Sequence, residues 1–247
     1  MTYKGSDNRV FYENLIYAMI APLLLLYLVY TLFINKDKKV TVFGMYAFLL
    51  GMILVAPAAI FEENFTPTYV QNSVFKVFLT NTFIIGFIEE FFKLAIGFYL
   101  VKRLTDTNIN LNSFLFIVFS AGVGFAFLEN IIYVYNSGFD TALMRSFSSV
   151  PMHGATAIVI GLFGFLDYSK KVKLGWLIGL LIAMIMHGVY NVVATELTHG
   201  IYFYGIFAVA FLYTVISVVI LLKSKKPLKI QMKVILTLTV NEVKLYN

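Results

Sequence analysis

The sequence predicts an all-α fold: a polytopic transmembrane helical bundle of about seven spans with a polar site inside the bundle. Three observations predict it. Of 247 residues, 60% are hydrophobic and only 13% are charged, about half the charged share of an ordinary soluble domain. The apolar residues fall into seven runs, each near the roughly 20 residues that a helix needs to cross a bilayer. The few ionisable groups inside those runs are confined to four consecutive ones, which implies one shared polar interior rather than scattered tolerance of charge.

The runs lie near 12–34, 40–61, 76–101, 112–135, 152–168, 174–196 and 201–222. The first is too long for a signal-peptide core and lacks an A-x-A-like end, so it reads as a retained span. The connections are short and polar, which makes residues 1–222 one transmembrane domain followed by a basic cytoplasmic tail, 223–247. Within that tail KIQMKVILTLTV alternates apolar and polar residues, as suits a short strand or a segment lying on anionic lipid. No internal repeat is visible, which counts against an inverted-repeat transporter.

Orientation follows from Lys and Arg. Lys36, Lys38, Lys39, Lys102, Arg103, Lys170, Lys171, Lys173 and the six lysines of the tail fall on one side. Lys4, Arg9, Lys76 and Arg145 fall on the other, so fourteen basic residues face four. The positive-inside rule puts the N-terminus outside and the C-terminus in the cytoplasm. The net charge of +6 is therefore read as topology and contact with lipid headgroups, and not as a nucleic-acid surface. The chain has no cysteine, which excludes disulfides, a thiolate nucleophile and Cys-ligated zinc.

The third span carries Glu89, Glu90 and Lys93 at its middle, where each charge costs about 2.5–3.5 kcal/mol on insertion scales. Glu89 and Lys93 are i,i+4 neighbours, and a plain ion pair would leave Glu90 unmatched. The fourth span holds Glu129 followed by Asn130, the fifth His153 near its start, and the sixth His187 with Asn191 one turn on. At 1.5 Å per residue, Glu129 lies roughly 9 Å and His187 roughly 13 Å below the outer ends of their spans, so the cluster is biased outward. Pro151 suits a helix first turn, with Ser148 or Ser149 available as its cap. That places His153 at the positive end of the helix dipole, which keeps a ring lone pair available. Gly122, Gly124 and Gly188 permit close helix approach.

These residues carry a resemblance. EEFFK at 89–93, GFAFLEN at 124–130, His153 with Gly161 as H-x7-G, and HGVYN at 187–191 resemble, in order and on separate spans, the four motifs of the PrsW family of intramembrane proteases. That family is related to the type II CAAX prenyl endopeptidases and bacteriocin-immunity-like membrane proteases. The resemblance covers residues 80–195. It implies an endopeptidase acting on a membrane-anchored protein, such as the first, extracytoplasmic cut of an anti-sigma factor. The CAAX relatives have His where this chain has Glu129 and a longer E-E-x3-R where it has Lys93, so prenylated substrates are not expected.

Peptide hydrolysis needs an activated water, oxyanion stabilisation and a proton for the leaving amine. Glu89 is the expected general base, with Glu90 and Lys93 setting its environment. Glu129 would orient the water or return the proton, His187 and Asn191 would face the oxyanion, and Asn130 supports Glu129. No cofactor is required by this scheme. A metal version uses His153, His187 and Glu129 as zinc ligands with Glu89 as the outer base, although no H-E-x-x-H is present. The alternative class is a proton- or cation-coupled transporter, since buried Glu and His also mark proton paths.

Overall fold

The structure, a computed structural model, describes residues 8–34, 37–67, 73–104, 109–196 and 203–224. Among them every regular element is helical: α1 (Asn8–Phe33), α2 (Lys38–Ile53), α3 (Val55–Phe65), α4 (Val74–Thr80), a π-helical turn (Asn81–Gly86), α5 (Phe87–Arg103), α6 (Leu111–Ser137), α7 (Phe139–Phe147), α8 (Ser149–Tyr168), α9 (Gly175–Glu196) and α10 (Phe203–Ser224). The predicted all-α bundle with a buried polar cluster is what the fold shows.

Six stretches are long and apolar enough to cross a membrane: Tyr12–Phe33, Lys38–Phe65, Leu111–Tyr135, Phe139–Tyr168, Gly175–Ala194 and Tyr204–Ser224. The remaining expected span is helical from Val74 to Arg103. It is interrupted by the π-helical turn and carries Glu89, Glu90 and Lys93. The tail beyond Ser224 and His199 lie outside the described residues.

Central and peripheral helices separate by burial. The apolar window of α6 is 89% buried and that of α7–α8 83%, against 17% for α1 and 28% for α10. The axis of the bundle is therefore α6 against α8, with α1 and α10 turning apolar side chains outward, as a lipid-facing helix requires. Close packing around α6 rests on missing side chains. A Cβ on Gly124 would run into the Phe48 carbonyl of α2, and one on Gly122 would meet Ala157 Cβ and the His153 carbonyl of α8. Gly122 thus brings α8 close beside His153, whereas Gly124 serves the α2 contact, away from the site.

Three local features differ from the sequence-based expectation. The second span breaks at Leu54, which ends α2 and begins α3; Pro57, in the first turn of α3, cannot donate back to Ile53. The third span contains the π-helical turn. The fifth is preceded by α7, with only Ser148 between α7 and α8. Ser148 occupies the N-cap position of α8 but makes no side-chain cap. Its Oγ instead donates to the Met144 carbonyl at 2.7 Å and meets the Tyr190 hydroxyl at 3.0 Å.

Candidate active site

On α5 the i, i+1 and i+4 positions put Glu89, Glu90 and Lys93 on the side turned into the bundle, where all three are buried. Ionised groups survive there only with partners. Lys93 Nζ donates to Glu90 Oε1 at 2.9 Å and to Glu89 Oε2 at 3.3 Å, and it lies 2.6 Å from His153 Nδ1. It also stands 4.7 Å from the centre of the Phe125 ring. One ammonium thus joins α5 to α8 across sixty residues of sequence.

Lys93 fixes one imidazole tautomer and Glu90 the other. An ammonium has only hydrogens to offer, so His153 Nδ1 accepts, and a neutral ring then carries its proton on Nε2. That nitrogen lies 2.7 Å from Glu129 Oε2. On α9, His187 Nδ1 is 2.8 Å from Glu90 Oε1, a carboxylate that can only accept, so Nδ1 is the protonated nitrogen. His187 Nε2 is left 3.7 Å from Glu89 Oε1, beyond hydrogen-bond reach. The two imidazole rings sit 5.6 Å apart, edge to face.

A cavity of about 580 Å³ lies against this cluster. Its wall includes Glu89, Glu129, His153, His187 and Asn191, and also Glu62, Asn81, Tyr133, Arg145 and Tyr190. Glu90 and Lys93 do not line it and stand behind. The lining runs from Glu62 near the end of α3, Ser137 at the end of α6 and Ala194 near the end of α9 inward to Glu89 and Phe125. The cavity therefore leads from one end of the bundle to the cluster.

All the sequence-predicted catalytic residues converge here except in detail. Asn191 Nδ2 donates to Asn81 Oδ1 at 3.1 Å, and Asn81 Nδ2 in turn donates to the Val77 carbonyl at 2.9 Å. Asn130 is buried beside the site and not in it. Its Nδ2 donates to the Ala18 carbonyl at 2.7 Å, and its Oδ1 accepts from Arg145 Nε at 3.0 Å. Sequence reasoning missed three residues. Glu62, near the end of α3, is half-buried on the cavity wall. Asn81 braces Asn191 from the π-helical turn. Arg145, counted as an outer-loop cation, lies with Nη2 2.9 Å from Glu129 Oε2. One signal was available for it: Thr141, Arg145 and Ser148 are spaced i, i+4, i+7, a polar stripe on one helical face, and all three line the cavity.

Glu89, Glu90, His153 and His187 each bring a ligand atom within 4.8 Å of the others, a spacing that suits a metal ion. Glu129, part of the expected zinc set, lies outside that group. The Lys93 ammonium already bonds to three of the four members. Both nitrogens of His153 are engaged, one accepting from Lys93 and one facing Glu129. A divalent ion among the same donors would share them with a positive charge a few ångströms away, at high cost in a low-dielectric interior. As placed, the residues fit an ammonium-centred cluster and do not make a metal centre.

Comparison with known proteins points to one family. Residues 40–221 match the family model described as PrsW family intramembrane metalloprotease. The chain is 27% identical over 183 residues to Protease PrsW of Halalkalibacterium halodurans, covering 73% of this chain and 83% of that one. It is 28% identical over 194 residues to Protease PrsW of Bacillus subtilis (76% and 86%). With Protease PrsW of Geobacillus kaustophilus the identity is 27% over 202 residues (80% and 87%). No solved structure matches the chain significantly.

Proposed function

Because the chain belongs to the PrsW family of intramembrane metalloproteases, we propose that this membrane-embedded protease cuts membrane-anchored proteins with a water activated by Glu89. The observation that carries the proposal is the 3.7 Å gap between Glu89 Oε1 and His187 Nε2 beside the cavity. It is too long for a direct hydrogen bond and suits a water bridging the two.

In this reading Lys93 holds Glu89 Oε2, so the other oxygen takes the proton of that water as it attacks the scissile carbonyl. His187 Nε2 aligns the water. Asn191, braced by Asn81, faces the developing oxyanion from the cavity wall. The proton on Glu89 passes to the leaving amine as the C–N bond breaks, and Glu129, beside His153 Nε2–H, orients that amine to receive it. Glu90 does not touch substrate; it holds the His187 ring through Nδ1 and shares Lys93. The family description names a metal, and a zinc ion supplies an acidified water in other peptidases. The donors here favour the ammonium, so the scheme uses none.

The substrate class is a single-span protein cut on its extracytoplasmic flank, and an anti-sigma factor is the kind that the PrsW resemblance implies. The test uses detergent-purified protein with a panel of single-span reporter peptides, each with a quenched fluorophore pair on one flank. Wild type is expected to cleave at least one reporter, with the rate unchanged by chelator and free of stoichiometric zinc on metal analysis. Glu89→Gln is expected to lose about 10²–10⁴-fold, the scale of a removed general base. Wild-type cleavage by Glu89→Gln would overturn the base assignment, and loss of activity on chelation would restore the metal.

A further inference from the structure

We propose that Arg145 is a positioning residue for the reaction, acting through Glu129. No motif contains it: its helix, α7, lies between the segment ending at Asn130 and the one beginning at His153.

Three restraints meet on its guanidinium. Nη2 pairs with Glu129 Oε2 at 2.9 Å, Nε donates to Asn130 Oδ1 at 3.0 Å, and the group stacks 3.9 Å from the centre of the Tyr133 ring. Those partners lie within about one turn of α6, at i, i+1 and i+4, so a single group from α7 grips the turn that presents Glu129 to the cavity. Asn130 is anchored on its other side to the Ala18 carbonyl of α1. Arg145 and Glu129 are both largely buried, with side chains 13% and 15% exposed. Such a pair is strongly coupled and costly to half-remove.

The charges divide cleanly. Lys93 pairs with Glu89 and Glu90, and Arg145 takes Glu129. Without Arg145 the Glu129 carboxylate would keep His153 as its close partner and lose the group that sets its direction. Lysine cannot replace this: it is a point charge, whereas the guanidinium fork reaches two acceptors and sits over a ring.

This inference rests on the role proposed above for Glu129, so its test has one arm that needs no cleavage. Arg145→Met and Arg145→Lys are treated, beside wild type, with dicyclohexylcarbodiimide, and modification of Glu129 is mapped by mass spectrometry. Release of Glu129 from its ion pair is expected to raise its modification severalfold in Arg145→Met and less in Arg145→Lys, with Glu62 as the internal reference. On a reporter that wild type cleaves, Arg145→Met is expected to lower kcat about 10–100-fold, the usual scale for removing a group that orients a catalytic one. KM is expected to stay within about twofold of wild type, well short of that loss, and Arg145→Lys falls between. Should Arg145→Met fail to fold, Arg145→Lys alone decides by the same two readouts.

Unchanged Glu129 modification, or kcat at the wild-type level, overturns the proposal. A rise in KM with kcat intact overturns it too, making Arg145 a substrate anchor. If wild type cleaves no reporter, the function proposed above falls, while the modification arm still judges the hold of Arg145 on Glu129.

Discussion

Lys93, buried behind the cavity wall, donates to two carboxylates and to an imidazole on another helix. Removing it leaves Glu89 and Glu90 adjacent, buried and uncompensated. The expected cost of Lys93→Met is about 3–5 kcal/mol, the scale found when one partner of a buried ion pair is deleted. Adding Glu90→Gln should recover part of that loss, because one carboxylate disappears while its shape remains. Thermal unfolding of the detergent-solubilised variants reads both effects. A Lys93→Met protein as stable as wild type would mean that the cluster is not held by charge. The same bonds explain why Glu89 and Glu90, neighbours in sequence, differ in role. Only Glu89 lines the cavity, and Glu90 is spent on Lys93 and His187.

At the scale of elements, the π-helical turn Asn81–Gly86 matters most. A π turn carries one residue more than an α turn over the same rise and tends to occur at functional sites. Here it turns Asn81 toward α9, where it braces Asn191, directly ahead of the two glutamates. Gly188 makes the approach possible: a Cβ there would run into Thr82 Oγ1, with Thr82 Cβ and Cα only 2.9 and 3.0 Å away, so a rotamer change cannot relieve it. Gly188→Ala should therefore destabilise by about 1–3 kcal/mol, as overpacking does, and lower cleavage by shifting His187 beside it. Gly205→Ala is the control, since its Cβ would meet only Val193 Cγ1 at 3.3 Å. Equal thermal midpoints for the two variants would show that the α9 approach is not tight.

For the whole molecule, moving Arg145 into the site leaves three basic residues on the side read as outer, against fourteen on the other, so the inside-positive bias only sharpens. On that reading we propose that the end of the bundle onto which the cavity leads is the extracytoplasmic one. A chain without cysteine makes this directly testable. Single substitutions at the exposed Asn64 or Asp140 should react with a membrane-impermeant maleimide in intact cells, and one at the exposed Lys171 should react only after lysis. The reverse pattern would invert the topology and place the site toward the cytoplasm.

Hydropathy and spacing by themselves determined the helical runs, their membrane character and the four segments carrying Glu89, Glu90, Glu129, His153, His187 and Asn191. These are local properties: span length and i,i+4 neighbours are readable along one stretch of chain, and the cost of a charge in lipid marks it wherever it sits. Only the tertiary structure decided who meets whom. Lys93 reaching His153, Asn81 bracing Asn191 and Arg145 gripping Glu129 depend on how neighbouring helices are rotated and tilted. The break at Leu54 and the π-helical turn set part of that rotation, and no periodicity in the sequence announces either. Arg145 was misread for the same reason, since a cation beside a span looks like a loop residue until a short helix folds it back over a buried carboxylate.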